Sequence, residues 1–165
     1  MHLDEPPADA LTALGRIAWA AIELESCVID LCSLVKPVNP RTDRRPVSKQ
    51  IEHAKAVLRC WTPSESRDAA ISWLDRAAVA MDRRNAALHA TPMVRFGLDR
   101  RPLGYALGEM PRAGRPYFSR PIEVDALTEL RDVLSEAAAG WREIVLALDL
   151  ALRADQVSAE SGRVE

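Results

Sequence analysis

The sequence predicts an all-α fold: a four-helix bundle with a short β-hairpin or an ordered loop inserted between helices three and four. Two observations point to it. Alanine and leucine are abundant while β-branched residues are fewer, and this composition favours helix. Apolar residues also recur at three- and four-residue steps through several long segments, which is the spacing of helices that bury one face.

The first two helices are predicted at about residues 8–36 and 48–60. Helix one carries a long apolar stripe, formed by Leu14, Ile17, Ala21, Leu24, Val28, Leu31 and Val35. Pro37 ends this helix because proline lacks a backbone N–H and clashes with the preceding turn. One face of helix two carries Ile51, Ala54 and Leu58.

Helix three has the clearest predicted start. Thr62 can act as the N-cap, Pro63 suits the first helical position, and Glu65 completes a capping box. Its predicted apolar stripe consists of Ile71, Leu74, Ala78, Met81, Asn85 and Leu88. Pro92 keeps the residue before it out of the helical region, so the helix should end near His89.

Residues 93–121 lack a helical period, and their short segments MVRFG, PLGYALG and RPYFSR predict two or three strands or an ordered loop. Helix four is predicted at about 125–153, with apolar residues repeating every seven positions. These are Leu127, Leu134, Trp141 and Leu148, with a second seam at Leu130, Ala137, Ile144 and Ala151. The sequence therefore predicts a tail at 1–7, one helical domain at 8–153 and a disordered tail at 154–165.

Composition indicates a cytoplasmic protein. Cys27, Cys32 and Cys60 are an odd number without a framework spacing, as expected of reduced thiols. The N-terminal sequence lacks the basic and apolar regions of a secretory signal, and no segment is apolar enough to cross a membrane. No membrane partner is therefore expected.

The charge is unevenly distributed along the chain. Net charge is −2 in total, but residues 1–36 carry −4, residues 37–120 carry +8 and residues 121–165 carry −6. A basic middle segment can steer an anion to one face, or the charges can mix and cancel on the folded surface. Both readings stay open at this point.

Neither a metal nor a cofactor is expected. The histidines and cysteines show no zinc-ligand spacing. The sequence also has no glycine-rich phosphate loop and no dinucleotide-binding fingerprint.

Arg84, Asn85 and His89, toward the end of helix three, carry the candidate chemistry. Cleavage of RNA through its own 2′-hydroxyl needs a group that takes the hydroxyl proton and a group that protonates the leaving 5′-oxygen, and histidine suits both. A guanidinium can bind the extra negative charge of the phosphorane with two hydrogen bonds. The alternatives are a surface histidine at a helix end and a solvated arginine.

This R-N-x3-H pattern, near the end of the third helix of a bundle, resembles the ribonuclease-type motif of the HEPN superfamily (higher eukaryotes and prokaryotes nucleotide-binding). The resemblance implies a metal-independent endoribonuclease that acts as a homodimer with facing motifs. Such proteins often serve as toxins or in defence against phage, with RNA and an antitoxin or other regulatory protein as partners. The resemblance also covers inactive modules that bind nucleotide, RNA or protein. A further alternative is an all-α interaction protein that docks through helix four.

Helical geometry constrains this motif. Five residues turn a helix by about 500°, so Arg84 and His89 point about 140° apart on a straight helix. Either the helix unwinds before Thr91, or a second subunit completes the site. Asn85 lies on the predicted apolar stripe, where it either fixes helix register or orients the site.

Glu25 lies in the apolar arc of helix one and needs a partner, for which Arg83 or Arg84 is a candidate. The alternative is a glutamate that extends from a helix crossing to solvent.

Two further sets of residues are predicted to bind RNA and to form a dimer interface. The arginines that could bind RNA phosphates are Arg95, Arg100, Arg101, Arg112 and Arg115. A face of small residues with an aromatic anchor, which could pack against itself across a two-fold axis, comprises Trp73, Ala80 and Ala87. The alternative is that these residues face other helices within one chain.

Overall fold

The computed structural model describes residues 8–35, 45–88, 91–96, 102–108 and 124–161, with the backbone alone at 91–96, 102–108 and 155–161. The chain is an all-α helical bundle, as predicted. The described residues form the helices α1 (Ala8–Val35), α2 (Val47–Arg59), α3 (Glu65–Leu88), α4 (Val124–Ala139) and α5 (Trp141–Ser161), and the strands β1 (Thr91–Phe96) and β2 (Pro102–Gly108).

The chain divides into two compact units, each made of two segments. One unit comprises residues 1–22 and 80–135, and the other comprises residues 23–79 and 136–165. The first unit therefore contains the start of α1, the end of α3, both strands and most of α4. The second contains α2, α5 and the remaining parts of α1, α3 and α4.

The predicted core faces of α1 and α2 are confirmed. Every predicted stripe residue of α1 is buried except Leu14, which is half-buried. Ile51, Ala54 and Leu58 of α2 are buried as well. Both stripes consist mainly of large aliphatic residues, whose burial contributes roughly 1.5–3 kcal/mol each.

The start of α3 differs from the prediction, since Ser64 and not Thr62 caps the helix. The Arg67 backbone N–H donates to Ser64 Oγ at 3.3 Å, and the Asp68 N–H donates to the Ser64 carbonyl at 3.1 Å. The helix then begins at Glu65. This register places Glu65 and Asp68 in the first turn, where negative charge is favoured by the helix dipole.

The buried face of α3 also differs from the predicted stripe, and lies about 80° around the helix from it. Its buried residues are Ala70, Trp73, Leu74, Ala77, Ala80, Met81 and Ala87. Leu88, the last residue of the predicted stripe, is 38% exposed. The difference arises because alanine and one tryptophan, rather than the large aliphatic residues, form most of this face.

The predicted fourth helix is two helices, because α4 ends at Ala139 and α5 begins at Trp141. Gly140 lies between them and has a low helix propensity. The Trp73 indole Nε1 donates to the Ala137 carbonyl at 2.8 Å, so a side chain from α3 satisfies a carbonyl in the last turn of α4.

The C-terminal segment also differs from the prediction of a disordered tail at 154–165, since α5 continues to Ser161. Glycine and proline are absent from its sequence up to that residue, so nothing there interrupts a helix already started. Residues 162–165 lie outside the described residues.

The two strands lie between α3 and α4 and pair antiparallel. Thr91 is opposite Gly108 and Arg95 is opposite Gly104, and the register shifts between Arg95 and Phe96. The RPYFSR segment, which sequence analysis included among the candidate strands, lies outside the described residues. Within the described part of the chain, every helix is too short or too polar to cross a bilayer.

Candidate functional site

Arg84 lies near the centre of the buried face of α3. Ala80 precedes it by four residues and Ala87 follows it by three, so both alanines lie about one turn away on the same face. Both alanines are buried, and the arginine side chain is half-buried with a fully buried Nε atom. The residues about one turn before and after Arg84 on this face are therefore small.

Asn85 holds the Arg84 guanidinium from the adjacent position. Arg84 Nη1 donates to Asn85 Oδ1 at 2.8 Å, and the Asn85 side chain is half-buried. Because Asn85 accepts this bond through its carbonyl oxygen, its amide N–H groups can still donate to another acceptor. The contact is the one expected of an asparagine that orients the arginine, while any catalytic role of Asn85 stays a prediction.

The arrangement around Arg84 suits an anion such as a phosphate. A guanidinium carries five N–H donors in a fixed fork, so it can hold a neighbouring side chain and a phosphate oxygen at the same time. Partial burial lowers the local dielectric constant, which strengthens the attraction between the guanidinium and a negative charge.

The supporting residues differ in exposure. Arg83 is exposed, whereas Glu25 is half-buried and the nearby Glu23 is exposed. The difference between the two glutamates agrees with the position of Glu25 in the apolar arc of α1. A pairing of Glu25 with Arg83 or Arg84 stays a prediction.

His89 lies outside the described residues, and so does Ala90. These two residues link the end of α3 at Leu88 to the start of β1 at Thr91. The predicted geometry between Arg84 and His89 is therefore untested, including the angle of about 140° between them.

Most of the arginines predicted to bind RNA also lie outside the described residues. Arg95 lies in β1, where only the backbone is described. The other four, Arg100, Arg101, Arg112 and Arg115, lie outside the described residues.

The predicted dimer residues are core residues, which corrects the sequence interpretation. Trp73, Ala80 and Ala87 are 1%, 1% and 3% exposed within a single chain. Side chains already covered in this way offer almost no surface to a second copy. The alternative that sequence analysis left open, packing inside one chain, accounts for these residues.

A cleft of about 340 Å³ in the first unit was not predicted. It lies between the first turns of α1 and α4 and is lined by Thr12 and Arg16 on one side and Thr128 and Arg131 on the other. Arg131 Nε also donates to Asp132 Oδ1 at 2.8 Å. The sequence signal that could have indicated it is a threonine followed by an arginine one turn later in each helix.

Among the described cysteines, Cys27 is not activated as a nucleophile. Burial raises the pKa of the Cys27 thiol above its ordinary value, and the carboxylates of Glu23 and Asp30 raise that pKa further. The thiol therefore stays protonated at neutral pH and is a poor nucleophile. Cys60 is exposed, and its Sγ donates to the Ala56 carbonyl at 3.4 Å.

Potential metal ligands are dispersed in the described part of the chain, where no three histidine, cysteine, aspartate or glutamate side chains lie close enough together to hold an ion. Comparison with known proteins adds no assignment to this site. No family model matches the chain, and no curated protein or solved structure is significantly similar to it.

Proposed function

We propose that this protein is a metal-independent endoribonuclease that cleaves RNA through the 2′-hydroxyl group. The observation that carries the proposal is the half-buried Arg84 guanidinium, held by Asn85 at 2.8 Å on the last turns of α3. An arginine fixed in this way, five positions before His89, supports the resemblance to the HEPN ribonuclease motif.

In the proposed reaction, His89 acts in proton transfer and Arg84 binds the phosphate. The 2′-oxygen loses its proton to a base and attacks phosphorus, the bond from phosphorus to the 5′-oxygen breaks, and an acid protonates that oxygen. The products are a 2′,3′-cyclic phosphate and a 5′-hydroxyl. Arg84 stabilises the phosphorane because the guanidinium is fixed before the negative charge develops.

The proposal includes a homodimer in the cytoplasm. Arg84 and His89 would point about 140° apart on one continuous helix, so a second copy with a facing motif would complete the site. By its resemblance to HEPN proteins, the chain would act as a toxin or a phage-defence effector. An antitoxin or another regulatory protein would then control it.

To test this proposal, the purified protein is incubated with 5′-labelled RNA, with and without EDTA, and the chemical groups at the ends of the products are identified. We expect cleavage that survives EDTA and leaves a 2′,3′-cyclic phosphate. His89→Ala should lower the rate by about 10²–10⁴, the usual contribution of a positioned acid–base group. Arg84→Gln should lower it as well, because glutamine cannot replace the positive charge.

Matched controls separate chemistry from folding. His53→Ala removes a half-buried histidine of α2, and Arg76→Gln removes an exposed arginine of α3 that donates to Ser72. Both controls should retain activity, and circular dichroism should show folded protein for all four variants. Cleavage that needs a divalent ion, or full activity in folded His89→Ala, would contradict the proposal.

A second candidate is an inactive HEPN-like module that binds nucleotide, RNA or a protein partner. The observation that favours it is the burial of Arg84 Nε on the core face of α3, since a structural arginine would be held in the same way. Binding of RNA without cleavage, lost in Arg84→Gln, would support this candidate over the enzyme.

A further inference from the structure

The first part of α1 exposes an apolar face. Leu11, Trp19 and Ile22 are 52%, 73% and 57% exposed. At 100° per residue, these side chains and Gly15 all lie within about 80° of one another around the helix. They therefore form one continuous stripe, which we call the α1 outer face.

A helix on a protein surface normally carries polar residues on the side away from the core. The opposite side of this helix, with Ala13, Ile17 and Ala20, is already buried within the chain. The core therefore does not explain why the α1 outer face is apolar, and an exposed apolar patch of this kind marks an interaction surface.

Gly15 lies at the middle of the α1 outer face, four residues after Leu11 and four before Trp19. A Cβ atom at this glycine would meet no other atom within 4 Å, so the surface is open there. The absence of a side chain at the centre of an apolar stripe lets a second helix approach closely, with the larger residues packing on both sides.

The area of the face indicates what covers it. At 73% exposed, Trp19 offers about 180 Å². With Leu11 and Ile22 added, the exposed area of the three side chains is roughly 400 Å². The same patch on two copies, with the small residues between, would bury about 1,000 Å², which is the lower limit for a specific interface. A self-complementary stripe of this size suits a second copy of the chain that binds at micromolar concentrations.

We propose that the α1 outer face is the homodimer interface, with α1 crossing α1 of the second copy at Gly15. This inference deepens the proposed function, which requires a second copy, and rests on that function only for its expected effect on cleavage. This interface takes the place of the one that the sequence predicted on α3, because the α3 residues are buried within one chain.

The test is analytical ultracentrifugation of the full chain at about 1–200 µM, the range in which such an interface should associate. Trp19→Glu and Gly15→Glu alter the proposed interface. Leu150→Glu is the matched control, because Leu150 is 67% exposed on α5. We expect wild type and the control to dimerise, and both interface variants to dimerise at least 10-fold more weakly.

Gly15→Glu keeps the test independent of folding. Glutamate has the higher helix propensity and meets open space at this position, so the variant should melt at or above the temperature of the wild-type monomer while its dimer is weaker. A general folding defect would lower both the melting temperature and the dimer affinity. Wild type that stays monomeric throughout, or dimers unaffected by both interface variants, would overturn the proposal.

Two further measurements distinguish the other outcomes. Co-sedimentation with anionic lipid vesicles tests a membrane surface, and vesicle binding that needs Trp19 in a monomeric protein would overturn the dimer. RNA cleavage then separates the two proposals. Dimers that need Trp19 but do not cleave RNA would support the interface and contradict the ribonuclease, whereas full cleavage by a monomeric Trp19→Glu would support the interface and contradict the requirement of the ribonuclease for a second copy.

Discussion

Trp73→Phe tests the contact by which α3 holds the junction of α4 and α5. Trp73 is 1% exposed, its Nε1 donates to the Ala137 carbonyl at 2.8 Å, and its Cδ1 lies 3.8 Å from where a Cβ of Gly140 would be. Phenylalanine keeps an aromatic ring in this position. It removes the N–H donor and, because phenyl is smaller than indole, leaves part of the buried space unfilled.

The expected loss is about 2–3 kcal/mol in the free energy of unfolding. The hydrogen bond contributes about 0.5–1.5 kcal/mol, and leaving the Ala137 carbonyl without its donor adds to this. The space left by the substitution, roughly 40 Å³, costs about 1 kcal/mol at about 24 cal/mol per Å³. For a chain of this length, each kcal/mol lowers the melting temperature by about 2–4 °C.

The assay is urea denaturation followed by circular dichroism, repeated at two protein concentrations. At the lower concentration, where the chain is monomeric, Trp19→Phe is the matched control, because Trp19 is 73% exposed within one chain and the same substitution there should change stability by less than about 0.5 kcal/mol. The loss at Trp73 should be independent of protein concentration, since the contact lies within one chain.

A loss below about 0.5 kcal/mol for Trp73→Phe would refute the reasoning, because a buried, hydrogen-bonded indole cannot be replaced without cost. A loss that appears only at high protein concentration would indicate that Trp73 lies between two copies, as the sequence first suggested.

Three further predictions concern other parts of the chain. Gly140→Ala should stabilise the fold by about 0.5–1 kcal/mol in urea denaturation, because the added Cβ meets only ordinary contacts. Asp75→Asn breaks an ion pair with Lys55 whose aspartate is 56% exposed; the loss should be at most about 1 kcal/mol and should shrink in high salt. Iodoacetamide should label Cys60 faster than Cys27, because Cys60 is exposed whereas Cys27 is half-buried and has a raised pKa that keeps its thiol protonated at neutral pH.

The core faces of α1 and α2 could be predicted because large aliphatic residues mark them. A residue such as Leu24 or Leu58 is seldom exposed, so its spacing alone sets the face of the helix. Glu25 follows the same logic, because its position in the apolar arc predicts the partial burial that distinguishes it from Glu23.

The face of α3 could not be predicted in this way, because alanine is common both in cores and on helix surfaces. Ile71 and Leu88 placed the predicted face to one side of the real one, which the alanines and Trp73 set. The sequence grouped Trp73 with Ala80 correctly, but nothing in a single sequence distinguishes packing within a chain from packing between copies.

Trp73, a residue far away in the sequence, contacts the junction at Gly140. The seven-residue repeat runs through Gly140 without interruption, so periodicity predicts one helix. The Trp73 indole binds the Ala137 carbonyl from 64 positions away. Contacts of this range appear only once the chain is folded.

Arg84 connects the fold to the proposed chemistry. Ala80 and Ala87 are buried about one turn before and after it on the same face of α3, so Ala80→Leu is expected to overpack the core beside the motif without changing the motif itself. Partial burial would strengthen the attraction of the guanidinium for a phosphate, and it also gives Arg84 a part in packing the core. Loss of activity in Arg84 variants is therefore informative only in folded protein, and the conservative test is Arg84→Lys, which keeps the charge but loses the planar fork that Asn85 and a phosphate would share.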